Sequence, residues 1–175
     1  MDAIIEKAKH IRLVIFDVDG VLTNGTLTYG SNGTETRTFH AHDGMGLRLL
    51  MKTGVEVAII TARLSHVVER RIQDLGIPYF YQGYIDKLPA YDELKQKLNL
   101  ADHEIAYVGD DIPDLPVIRR VGLAISVPNA VQIVKQHTHW VTEAKGGKGA
   151  AREVCDLIMQ ARGTYEATVN AYLDR

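Results

Sequence analysis

Four apolar runs recur along the chain: "IRLVIF" (11–16), "VEVAII" (55–60), "EIAYV" (104–108) and "LAISV" (123–127). Runs of this length, rich in β-branched residues and without alternation, predict strands buried on both faces. "YFYQ" (79–82) and "HWVT" (139–142) are weaker strand candidates. Helical spacing fills the gaps. Residues 43–54 place Leu47, Leu50 and Met51 on one face and stop at Gly54. Residues 65–76 open on a capping Ser65 and close on Gly76, and 87–100 carry Tyr91, Leu94 and Leu98 on one stripe. This alternation predicts an α/β fold: a doubly wound, mostly parallel, Rossmann-like sheet with helices on both faces. Right-handed crossovers then bring the carboxyl ends of all the strands to one edge.

Residues 26–40 break the alternation. "TLTYGSNGTETRTFH" alternates Thr, Leu, Tyr and Phe with polar residues around Asn32-Gly33, which predicts a β-hairpin standing over the edge of the first strand. Residues 162–175 follow a helix and a glycine and read as either a short extra helix or a mobile tail. With no repeat, low-complexity stretch or linker, 1–175 is expected to be a single domain.

A net charge of −2 without a basic run argues against nucleic acid as a partner. No segment is long and apolar enough to span a bilayer, so no membrane partner is expected. One cysteine, Cys155, forms no internal disulfide, and "MDAIIEKAKHIRL" has no signal-peptide core. A cytoplasmic protein is expected.

The chemistry gathers at the predicted edge. Asp17 and Asp19 follow the first strand, Thr61 and Arg63 the second, and Lys87 begins the helix after the third. Asp110, Asp111 and Asp114 follow the fourth. Open α/β sheets bind ligands there. Converging carboxylates require a cation, and an all-oxygen site suits Mg²⁺. Such an ion with Lys87 and Thr61 can hold a phosphoryl group. One carboxylate can then attack phosphorus, and a second can move a proton.

"FDVDGVLT", "IITAR", "DK" and "VGDDIPD" resemble the four motifs of the haloacid dehalogenase superfamily of aspartate-nucleophile phosphatases. With "DGMGLRLL", "YQG" and "GGKGAAREVCDLI", the chain resembles 3-deoxy-D-manno-octulosonate 8-phosphate phosphatases nearly end to end. The resemblance implies Asp17 as nucleophile and Mg²⁺ ligand. It implies Asp19 as general acid/base, giving the metal its backbone carbonyl, and Asp110 as a direct ligand. Thr61 and Lys87 would hold the phosphoryl group, and Asp111 and Asp114 would support the metal or orient Lys87. Arg63 and Arg71 would contact the sugar acid or line a subunit boundary. The hairpin would stand in place of a cap, completed by a neighbour in a homotetramer, and the tail would visit that neighbour's site. The implied substrate is a sugar acid phosphate; a nonulosonate 9-phosphate is the alternative.

Two other classes compete. A receiver-type signalling module shares the sheet, an Asp, a Thr and a Lys, but it carries its phospho-accepting Asp after the third strand. A silent oligomerisation scaffold would not keep every catalytic position. Elsewhere the plainer reading is preferred. His40 and His42, two apart on a strand, could bind a transition metal with Asp43, but a surface place on the hairpin is favoured. "GGKGA" lacks the spacing of a phosphate-binding Walker loop and reads as a helix-entry turn. Cys155 reads as a buried thiol, Trp140 as core or interface, and Arg152 as interface or surface.

Overall fold

A computed structural model describes residues 1–174. In chain order the elements are α1 (Asp2–Lys9), β1 (Leu13–Phe16), β2 (Thr28–Tyr29), β3 (Glu35–Thr36), α2 (Ala41–Lys52), β4 (Glu56–Thr61), α3 (His66–Leu75), β5 (Tyr79–Gln82), α4 (Leu88–Leu98), β6 (Ile105–Gly109), α5 (Leu115–Ile118), β7 (Leu123–Ser126), α6 (Gln132–Gln136), β8 (Trp140–Val141), α7 (Ala150–Ala161) and α8 (Tyr165–Leu173). Six strands form one sheet in the order β5-β4-β1-β6-β7-β8, every neighbouring pair parallel. A separate antiparallel pair, β2–β3, is the hairpin.

The strand at the centre, β1, shows why the apolar runs have no alternation. Val14 and Phe16 enter one core with α2, α3 and α7, while Leu13 and Ile15 enter the other with Tyr91 and Leu94 of α4. All four are completely buried, because a parallel sheet is covered on both faces. Phe16 pairs with Ile59 of β4 and Val108 of β6. The residues that follow each strand therefore leave the sheet side by side.

Both weaker strand candidates are strands, and they flank the sheet as β5 and β8. The hairpin is shorter than 26–40 suggested, with two paired residues on each arm. Its side chains are almost all exposed, so no buried face extends the pairing. "HAHD" is not strand. His40 is the N-cap of α2 and His42 lies within that helix, their rings edge to face at 5.0 Å. The start of the helix is packed in its own right, with Asp43, Gly44 and Gly46 buried. The tail is a helix, α8, packed on α7; Arg175 lies outside the described residues. The glycine segment leads into α7 with Gly149 as N-cap, and Cys155 is fully buried. No described helix is long and apolar enough to cross a membrane.

Candidate active site

Four strand ends deliver the site. Asp17 continues β1, its N–H donating to the Val108 carbonyl at 3.0 Å. The chain then turns at once, with the N–H groups of Val21, Leu22 and Thr23 all on the Val18 carbonyl. That turn needs Gly20 at φ +87°, where a side chain would be strained. Thr61 ends β4, Lys87 is the N-cap residue of α4, and Asp110 to Asp114 follow β6. Asp17, Asp19, Thr61, Arg63, Lys87, Asp110, Asp111 and Asp114 all line one cleft of about 240 Å³.

Lys87 is the hub. Its side chain is 3% exposed, and its ammonium donates to Asp17 Oδ1 at 2.7 Å, Asp114 Oδ1 at 2.6 Å and Tyr107 Oη at 3.0 Å. These three acceptors use all three ammonium protons. Burial pushes the Lys87 pKa down, but the carboxylates of Asp17 and Asp114 outweigh it and hold it above the usual value. Asp114 is saturated. Its Oδ1 also accepts from Tyr107 Oη at 2.6 Å, and its Oδ2 accepts from the N–H groups of Asp110 and Asp111 at 2.9 and 3.1 Å. It therefore orients Lys87 and the strand-end loop. Asp111 accepts from the Ile112 N–H and caps the short turn Ile112–Asp114.

Burial lifts the Asp17 carboxyl to about 6, with Lys87 pulling it down and Asp114 pushing it up. Asp110 rises further, to about 8, through burial and the neighbouring carboxylates of Asp17, Asp114 and Asp111. Oxygens of Asp17, Asp110 and Asp114 lie within 4.8 Å of one another. An all-carboxylate cluster that strains against its own charge fits a hard divalent cation. Because Asp114 is already saturated, Asp17 and Asp110 are the carboxylates free to hold one.

Sequence reading missed Arg37, whose buried guanidinium ion-pairs with Asp19 and, at 2.6 Å, with Glu35. Glu35 in turn accepts from Ser65 Oγ at 2.7 Å, and Tyr29 Oη accepts from Arg63 at 2.6 Å. The hairpin is thereby latched to the cleft at two points. An isolated Arg in a Thr-rich strand gives no signal of this. Tyr107 was also missed, hidden in an apolar strand run. Arg71 is not brought into this cleft; its guanidinium lies 5.7 Å over the Phe39 ring. His40 and His42 do not line the cleft either. Asp43, considered as a metal partner for them, instead caps α7 by accepting from the Arg152 and Gly149 N–H groups at 2.8 and 3.3 Å.

A carboxylate cluster and lysine at the carboxyl edge of a parallel sheet fit the class of haloacid dehalogenase-like hydrolases, and the family model of that description matches residues 80–154. The 3-deoxy-D-manno-octulosonate 8-phosphate phosphatase KdsC of Yersinia pestis is 45% identical over 165 residues, covering 94% of this chain and 88% of the relative. Its counterpart from Escherichia coli K12 is 46% identical over 160 residues, covering 91% and 85%. The crystal structure of the phosphatase of that name from Moraxella catarrhalis, in complex with magnesium ion, phosphate ion and a KDO molecule, superposes with a TM-score of 0.96. It is 44% identical and covers 98% of this chain and 99% of that one. The chain belongs to the 3-deoxy-D-manno-octulosonate 8-phosphate phosphatase family.

Proposed function

We propose that this protein hydrolyses 3-deoxy-D-manno-octulosonate 8-phosphate to the free sugar acid and phosphate, in the cytoplasm, as a step of lipopolysaccharide biosynthesis. The observation that carries this reading is the convergence of Asp17, Asp19, Thr61, Lys87 and Asp110 in one cleft. It occurs in a chain that matches a magnesium-, phosphate- and sugar-bound relative over nearly its whole length.

In this reading the Asp17 carboxylate attacks phosphorus and the bond from phosphorus to the sugar oxygen breaks. Asp19 gives its proton to the departing oxygen. A water molecule then attacks the phosphorus of the aspartyl-phosphate, Asp19 takes back a proton, and the bond to Asp17 breaks to release phosphate. Lys87 and Thr61 hold the phosphoryl oxygens. The carboxylates of Asp17 and Asp110, with the Asp19 backbone carbonyl, would hold Mg²⁺, which when bound neutralises charge on the phosphoryl oxygens. Arg37 fixes the direction of the Asp19 carboxylate. Arg63, at the cleft, is placed to pair with the sugar carboxylate; Arg71 is left to the subunit boundary.

Phosphate release should be measured with Mg²⁺ on 3-deoxy-D-manno-octulosonate 8-phosphate, nonulosonate 9-phosphates and hexose phosphates. Strong preference for the first is expected. Equal or greater turnover of a nonulosonate 9-phosphate would reassign the substrate while leaving the chemistry.

The metal ligands also set a pH dependence. Asp17 and Asp110 titrate at about 6 and about 8 in the fold, against 3.8 when unperturbed. Over that interval the folded, metal-free protein binds more protons than the unfolded chain. These two groups therefore stabilise fully below about pH 4, and that contribution is lost as pH rises through about 8. Mg²⁺ needs the ionised forms, so its stabilisation grows with pH. Thermal midpoints with chelator and with Mg²⁺, at pH 5.5, 7 and 8.5, should show a Mg²⁺-induced gain that increases along the series. A gain independent of pH would remove these carboxylates as the ligands.

A homotetramer is supported by the exposed apolar residues of the hairpin and of the loops beyond the strand ends: Leu27, Tyr29, Leu64, Ile85 and Ile112. A neighbour covering them would close a cleft that the short hairpin leaves open. Light scattering should give four chains per particle; a fully active monomer would refute the assembly.

A further inference from the structure

The turn that carries Asp19 is gripped from behind by two segments to which the reaction gives no part. A Cβ on Gly20 would lie 1.9 Å from Asp110 Oδ2, so the Gly20 backbone rests directly on that carboxylate. On the other side, a Cβ on Gly146 would lie 1.7 Å from the Gly20 carbonyl oxygen. The glycine-rich segment before α7 is therefore glycine because the Asp19 turn occupies the space. Gly147 adds a bond, its N–H donating to the Val21 carbonyl at 2.9 Å.

Asn129, in the loop after β7, ties the two together. Its Nδ2 donates to the Gly20 carbonyl at 2.8 Å, and its Oδ1 accepts from the Gly146 N–H at 2.8 Å. The same loop reaches Asp110, whose carbonyl accepts from the Val131 N–H at 2.9 Å. One short loop thus holds the backbone next to Asp19 and the backbone of Asp110. Asp43, capping α7, anchors the glycine segment from its far end.

We propose that Asn129, acting with Gly146, is a positioning residue: it locks the Gly20 carbonyl and so fixes Asp19 against Asp110. The inference rests on the phosphatase reading above. Glycine has the softest backbone of any residue, and Gly20 adjoins both the proton-transfer group and the peptide carbonyl assigned to the metal. Without the Asn129 amide, the Gly20 carbonyl loses its side-chain donor, and the Gly20–Val21 peptide keeps only the bond from the Val21 N–H to the Val18 carbonyl. A shift of about 1 Å at a reacting group costs on the order of 10²-fold in rate.

The test uses the full chain and two variants, Asn129→Ala and Gly146→Ala. Asn129 is exposed, so its truncation leaves no core cavity, and the thermal midpoint should fall only by the loss of its two hydrogen bonds to the Gly20 and Gly146 backbone. Turnover of Asn129→Ala at saturating Mg²⁺ and substrate should fall by about 10- to 100-fold with KM nearly unchanged. Calorimetric titration with Mg²⁺ alone should show weakened binding. Gly146→Ala should give the same signature, and the double variant should fall short of the sum of the two, because both act on one carbonyl. Wild-type turnover and wild-type Mg²⁺ affinity in Asn129→Ala would overturn the proposal, as would strict additivity in the double variant. Absence of phosphate release by the wild type would instead sink the phosphatase reading. The Mg²⁺ titrations would still decide whether Asn129 holds the site.

Discussion

Asp17→Asn should abolish phosphate release while leaving the fold intact or more stable. An amide cannot attack phosphorus, so the aspartyl-phosphate cannot form, and a loss of at least ~10⁴-fold is expected. Stability should move the other way. Burial already lifts the Asp17 carboxyl to about 6, which means that the fold works against its charge. The neutral amide escapes that penalty, and its oxygen can still accept from Lys87, which keeps Asp114 as a counter-ion. Turnover under saturating Mg²⁺, paired with a chelator-treated melting curve, separates the two effects. Retained turnover would remove Asp17 as the nucleophile. A large drop in the melting point would show its charge to be part of the scaffold. A catalytic group that costs stability is what selection for activity produces.

Lys87→Met should fail on both counts. The variant leaves Asp17 and Asp114, 7% and 1% exposed, without the cation that compensates them. Removing one partner of a buried ion pair costs about 3–5 kcal/mol. Turnover should fall by about 10³-fold, the loss associated with removing a preorganised charge at a developing oxyanion. The stability deficit should depend on pH. Without the ammonium, which pulls the Asp17 carboxyl down, Asp17 holds its proton more tightly still, so acid relieves the strain and alkali worsens it. Denaturant titration in chelator at pH 5.5 and pH 8 should show the larger deficit at pH 8. Wild-type stability at pH 8 would mean that the carboxylates are compensated by something other than Lys87.

The contrast between these variants shows which parts of the site were legible in the sequence. Asp17, Asp19, Thr61, Lys87 and Asp110 stand directly after apolar strands, and parallel winding obliges such positions to meet at one edge. Their meeting followed from order along the chain. Arg37 and Asn129 could not be found that way. Arg37 reaches Asp19 across a hairpin whose pairing is only two residues deep. Asn129 acts through backbone atoms more than one hundred residues earlier. Neither lies in a periodic pattern, and Asn in a loop is among the ordinary turn residues. "HAHD" misled for a related reason. Four residues carry no period, and only the fold shows that the helix begins at Ala41, with Asp43 and Gly44 of its first turns buried.

Arg71 shows the same boundary. Its sequence position allowed both a substrate contact and an ordinary helix charge, and the fold sets it on Phe39, outside the cleft. The sequence by itself determined the parallel sheet, the edge where ligands bind and the carboxylates, hydroxyl and lysine that gather there. These depend on residue type and chain order alone. Only the tertiary structure decided that Asp114 is saturated, that Arg37 pairs with Asp19 and that two glycines fill the space behind the Asp19 turn. Such contacts join residues far apart in the chain, and distance along a sequence carries no information about which carbonyl a given amide will reach.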